Sequence, residues 1–222
     1  MRHRVGVGTL LMLLTVAAGS TDAVSYLGLD HVFPANMTGN TVLLGIGLTT
    51  GDWHRAAGSA VALGGFVVAA AVSGALAGRR SLGVDLSCEL VLLAAALAWW
   101  LTLDAPVQGG PRLGLIALVS AAMGWQSATI TRLDVGVSTT YITGTWTAVA
   151  TWFAQGLRRH PSKQPDGRPY RRIAVLACYL GAACLAGYLF HRWGAWAAVT
   201  PLAALIISSV APPAGQPDRP DS

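Results

Sequence analysis

The sequence is poor in charge. Only 11% of its 222 residues are Asp, Glu, Lys or Arg, against about a quarter in a soluble domain, and this argues against an ordinary water-soluble globule. Cysteine is scarce as well. Cys88, Cys178 and Cys184 lie in apolar surroundings without a CxxC pair, so neither a disulfide framework nor a zinc site is expected. His54, His160 and His191 stand apart with no metal-binding spacing. GxSxG, HExxH and paired carboxylates are all missing, which leaves an enzyme as the weakest class and no cofactor to expect.

What fills the chain instead is apolar: 53% of the residues are hydrophobic and the mean hydropathy is +0.52. The net charge of +5 does not point to a nucleic acid, because six of the fifteen cations crowd between Arg158 and Arg172 and most others sit at the ends of apolar runs. That placement is a topology signal. The expected partner is the lipid bilayer.

Eight apolar stretches are bounded by charges, Gly or Pro: 5–29, 37–50, 56–78, 86–103, 113–131, 138–155, 173–190 and 194–210. A full crossing takes about 20 residues, so the second stretch is short. The first resembles a secretory signal, with Arg2 and Arg4 ahead of it, yet it matches an internal stretch and is read as a membrane helix.

That match comes from sliding the chain against itself by 105 residues, which aligns Leu10 with Leu115, Ala17 with Ala122, Gly19 with Gly124, Ala23 with Ala128, Val32 with Val137, Thr38 with Thr143 and Gly39 with Gly144. The expected fold is all-α and polytopic, with two related halves, 1–104 and 105–210, and a disordered tail over 211–222. The short length and polar entry of the second stretch favour six transmembrane helices plus two short or half-helical segments over eight crossings, and three crossings per half would invert the second half. With the basic loop 158–172 inside, the N- and C-termini are cytoplasmic in either version.

Two polar interruptions stand out in this greasy background, "ANMTGN" at 35–40 and "YITGT" at 141–145. Non-helical backbone at membrane depth must be buried in protein or line water. A helix opening near Asn36 exposes free N–H groups and a positive dipole end, Asn36 or Thr38 can cap it, and Gly39 permits close approach. Asn36, Thr38, Gly39 and Asn40, with Thr143 and Gly144 from the other half, are therefore the candidate binding residues for a small polar or anionic solute. Close helix packing through Thr-Gly pairs and a surface cap account for the same residues equally well.

Asp22 is an acid deep in an apolar segment, a position that is costly and usually functional. It is the candidate coupling residue; Ser20, Thr21 or Gln126 are alternative hydrogen-bond partners in a purely structural network. Glu89 is expected to reach the interface. Asp30 and His31 in one copy, and Arg132 and Asp134 in the other, form either a charged vestibule or weak surface pairs. The GxxxG at Gly74 and Gly78 is a candidate helix contact, and Trp99, Trp100, Trp193 and Trp196 are headgroup anchors.

The run "AGSTDAVSYLGLDHVFPANMTGNTVLLGIGL", 18–48, resembles the opening signature of the YoaK family of bacterial integral membrane proteins, a domain-of-unknown-function family. Asp22, Phe33, Asn36, Met37, Thr38, Gly39 and Asn40 carry the resemblance, and the later "YITGT" is also similar. It implies a multi-pass protein of the bacterial inner membrane and supplies no substrate. A transporter or channel working through a site between the halves is the leading expectation. The rival is a non-transporting scaffold or envelope partner, and self-association is open.

Overall fold

The computed structural model describes residues 6–133, 142–156 and 169–210. Asp134, Tyr141, His160, most of the basic loop and the tail lie outside them. The described residues are helical, with no strand among them: α1 (Val7–Gly28), α2 (Met37–Thr50), α3 (Trp53–Ala75), α4 (Leu82–Trp100), α5 (Gly109–Leu133), α6 (Ile142–Gly156), α7 (Pro169–Trp193) and α8 (Val199–Val210).

Local chemistry sets the ends. Asn36 accepts from Gly39 N to open α2, Asp52 accepts from Arg55 N to open α3, and Ser81 accepts from Val84 N to open α4, each satisfying an orphan donor of a first turn. Gly51 stops α2 in the left-handed region at φ 74, where a Cβ is unwelcome.

Five helical stretches are long and apolar enough to cross a membrane: Val7–Gly28, Trp53–Ala75, Leu82–Trp100, Gly109–Leu133 and Tyr170–Ser209. The last joins α7 and α8, expected as separate segments, through the 3-10 turn Gly194–Ala198. Its 40 residues would extend about 60 Å as one helix, twice the ~30 Å of hydrocarbon. Gly194, at φ 55, interrupts it. With 14 and 15 residues, α2 and α6 are both shorter than a crossing requires.

The packing is inverted relative to a soluble protein. Asp22, Asn40, Asp85, Glu89, Arg112 and Gln126 are buried, while Val67, Val68, Val91, Leu180 and Ile207 are exposed. In the core, α1 lies along α7, α3 along α5, α2 along α3, and α4 between α5 and α8. Helix directions follow from the contacts. Gly19 meets Tyr179 and Gly28 meets Phe190, so α1 and α7 run parallel; Gly58 lies by Arg112 and Gly124 by Phe66, so α3 and α5 do too. Arg112 reaches Asp30 while Gln126 reaches Leu14, so α5 runs against α1.

Small residues create these close approaches, but not the ones expected. At Gly74 and Gly78 an added Cβ would meet nothing within 4 Å, so the GxxxG holds no helix contact among the described residues. The close contacts include Gly19 against the Tyr179 carbonyl, where a Cβ would sit 2.6 Å away, Gly65 against that of Ala117 at 2.9 Å, and Gly124 against that of Phe66.

Candidate solute site

The site is built from the turn between α1 and α2. Beyond Gly28 the chain passes through two consecutive left-handed residues, Asp30 at φ 66 and His31 at φ 63. For non-glycine residues this costs energy that the surroundings must offset. They do so with Phe33: its N–H donates to Asn40 Oδ1 at 3.0 Å, its carbonyl accepts from Asn40 Nδ2 at 2.6 Å, and its ring stacks on Tyr26 with centroids 4.9 Å apart. A Cβ on Gly39 would lie 3.0 Å from that ring.

The turn leads the chain back beside α1. Ala35 N–H donates to Asp22 Oδ1 at 2.7 Å, with the Asn36 N–H also directed to this carboxylate. Because Asp22 precedes Gly28 by six residues, α2 begins about 9 Å back along α1 from its end. The other Asp22 oxygen accepts from the Tyr179 hydroxyl of α7. The suggested partners are engaged elsewhere: Thr21 Oγ1 donates to Ala17 O, and Gln126 Nε2 donates to Leu14 O and Glu89 Oε1.

A cavity of about 410 Å³ opens at this point, lined by Ala35, Asn36, Met37, Thr38, Phe66, Ile142, Thr143 and Tyr179. The first turns of α2 and α6 thus face one space, closed by an aromatic ring from α3 and one from α7. Asn36, Thr38 and Thr143 meet there. Gly39 and Gly144 are outside the lining, Asn40 is buried in its bonds to Phe33, and Asp22 lies buried with Tyr179 and the Ala35 backbone as its partners. The walls offer hydroxyl and amide groups, two helix N-termini and aromatic faces, a set that can hold a small polar or anionic molecule.

Two charge clusters flank the bundle. At one end Asp30 accepts from Arg112 Nη1 at 2.8 Å and pairs with His54 Nδ1 at 3.0 Å and His31 Nδ1 at 3.4 Å, while Arg112 Nη2 donates to His54 O. Partial burial pushes the Asp30 carboxyl up, but the Arg112 charge and the histidine contacts outweigh it and hold it below the usual carboxylate range. At the other end Asp85, fully buried, pairs with Arg132 and with Arg80 Nη2 at 3.2 Å, and the Arg80 guanidinium stacks 4.2 Å above the Trp125 ring. His54 therefore does not stand alone. Glu89 does not reach an interface either: it is buried and bonded to Gln126.

Tyr179, Phe66, Asp85 and Arg112 were not singled out from the sequence as functional residues. A usable signal exists for the charges, since an ionisable group within an apolar helix has to find a partner. For the two aromatics none exists, because they enter the site through helix packing. Among the described residues no cluster of His, Cys, Asp or Glu is arranged to hold a metal.

The comparisons agree with this architecture. A family model described as "Protein of unknown function (DUF1275)" matches residues 10–211. The UPF0700 transmembrane protein YoaK of Bacillus subtilis (strain 168) is 33% identical over 147 residues, which span 62% of this chain and 63% of the length of that relative. No solved structure matches.

Proposed function

We propose a function on the premise that this chain belongs to the DUF1275 family and is a multi-pass membrane protein: it is a carrier or channel for a small polar or anionic solute, which passes between two inverted halves. The observation that carries this reading is the shared cavity, lined from one side by Asn36 and Thr38 at the start of α2 and from the other by Thr143 at the start of α6.

The contacts around it support the pairing of halves. Gly19 of α1 rests on the Tyr179 backbone of α7, and Gly124 of α5, its partner under the 105-residue shift, rests on the Phe66 backbone of α3. Tyr179 and Phe66 are also the two rings lining the cavity. Exchanging the halves exchanges the helix pairs α1–α7 and α5–α3, as expected for a pseudo-two-fold axis through the cavity, with the second pair in a shifted register, since the 105-residue shift takes Phe66 to Arg171 and not to Tyr179. In this reading α2 and α6 dip into the membrane, α1, α3, α4, α5 and α7 cross it, the 12-residue α8 crosses together with the 3-10 turn Gly194–Ala198 ahead of it, and both termini face the cytoplasm of a bacterial inner membrane.

Flux into proteoliposomes, with nitrate, acetate and glycerol as probes, tests the proposal. Thr38→Leu and Thr143→Leu fill the cavity from opposite sides and should each reduce uptake of the transported probe, with Thr50→Leu at the far end of α2 without effect. Equal flux in all of these proteins and in empty liposomes removes transport.

A further inference from the structure

Among the described residues, Asp22 has no cationic partner. Its described contacts are the N–H groups of Ala35 and Asn36 and the hydroxyl of Tyr179. Tyr179 is the titratable side chain facing it from α7, and the 33–36 turn brings none. All of these groups are donors, so the carboxylate holds the turn and α7 at once. A protonated carboxyl must itself donate one hydrogen and has less acceptor capacity left. Its bond to Tyr179 must then reverse, the phenol oxygen accepting, and its bonds to the backbone N–H groups lose the strength that a charged acceptor gives them.

We infer that Asp22 is a proton-operated fastening for the start of α2, and that Tyr179 is the positioning residue linking this fastening to the cavity. Ionised, Asp22 clamps the Ala35 and Asn36 backbone to α1. On protonation the proton occupies the oxygen facing Tyr179, whose hydroxyl turns from donor to acceptor, the backbone N–H bonds lose the charge assistance of an ionised acceptor, and the first turn of α2, with Asn36 and Thr38, loosens into the cavity.

The arrangement is one-sided. The 105-residue shift places Ser127 opposite Asp22, and the Ser127 hydroxyl is buried without a hydrogen-bond partner. The ring that meets Gly124 as Tyr179 meets Gly19 is Phe66, which has no hydroxyl. A proton-sensitive clamp is therefore a property of the first half alone among the described residues. This inference rests on the cavity described above but not on transport through it.

The experiment reads accessibility in the full chain, reconstituted in liposomes, with Cys88, Cys178 and Cys184 replaced by Ala. Thr38→Cys and, as a separate reference, Thr50→Cys are labelled with a small methanethiosulfonate between pH 5 and 8.5. Thr38 and Thr50 lie at opposite ends of α2, where the helix dipole shifts the two thiols in opposite directions, so each rate is first divided by the thiolate fraction measured for that cysteine. The Thr38→Cys to Thr50→Cys rate ratio should rise several-fold on acidification. In Asp22→Asn, which imitates the neutral carboxyl, it should be high at every pH. Tyr179→Phe leaves the acid in place without one donor and should move the rise to higher pH. A ratio that stays flat with Asp22 present overturns the inference, and so does a rise that persists unchanged in Tyr179→Phe. A flat ratio with intact flux removes the clamp alone; a pH-dependent ratio without flux keeps the clamp and removes transport.

Discussion

Arg112 Nη1 donates to Asp30 Oδ2 at 2.8 Å across 82 positions of chain, and the two partners are unequally placed: the arginine side chain is 2% exposed and the aspartate 39%. Removing Arg112 also breaks its bond to the His54 carbonyl, and removing Asp30 also breaks its histidine contacts, but the group left behind differs. A stranded carboxylate reaches water, whereas a stranded guanidinium does not.

Asp30→Asn should therefore destabilise more than Arg112→Met. Leaving a buried charge uncompensated costs roughly 3 kcal/mol or more, while the exposed aspartate is largely screened once its partner is gone. Thermal unfolding of both variants in the same detergent gives the order. The reverse order contradicts the burial described for Arg112.

The same pair predicts an acid sensitivity. Because the Asp30 carboxyl lies below its ordinary value of 3.8 in the folded chain, its contribution is complete above pH ~4 and drains away as pH falls through the folded value. The melting temperature of the wild type should fall on acidification below that point more steeply than that of Asp30→Asn. Parallel curves would show that Asp30 contributes nothing to the loss.

Asp85 separates two arginines, so Asp85→Asn leaves Arg80 and Arg132 repelling each other in a buried site. It should reduce folded yield far more than Arg80→Gln, which leaves Asp85 with Arg132. Fluorescence-detected size exclusion of the solubilised variants measures this.

Glycine positions sort by what faces them. Gly19→Leu drives a side chain into the Tyr179 backbone and should destabilise by roughly 1–3 kcal/mol, as overpacking does. Gly74→Leu meets open space and should be neutral, although it breaks the GxxxG pattern. Comparable losses for both would restore the motif as a helix contact.

If the first turns of α2 and α6 face one cavity, Thr38→Cys and Thr143→Cys in one cysteine-free chain should be joined by a short bifunctional thiol reagent. Thr50→Cys with Thr143→Cys should not. Gel mobility after cleavage at a protease site inserted between α4 and α5, at 101–108, which separates the two cysteines, distinguishes the two.

Much of the architecture was legible because membrane helices announce themselves by hydropathy. The second apolar stretch, 37–50, coincides with α2, since Asn36 and Gly51 are local stop signals. Others were read too short. The stretch 113–131 ended inside the arginines, yet α5 runs from Gly109 to Leu133 and carries Arg112 and Arg132 within it. Apolar counting stops at a charge, whereas backbone hydrogen bonding continues wherever the charge finds a partner. In the cavity, Asn36, Thr38 and Thr143 were readable because polar residues interrupting an apolar run have a local signature. Tyr179, joined to Asp22 across 157 positions, was not. Its role depends on α1 and α7 lying side by side, and that contact is set by a glycine face no short motif displays.

The two arginines of α5 stand about 30 Å apart along its axis, each anchored to an aspartate of a different element. A rod riveted at both rims can roll or lean, but it has no freedom to slide. If the proposed transport opens the chamber to one side and then the other, this strut keeps its place along the bundle and the travel falls to α2 and α6, which pack on α3 and α7 and not on α5.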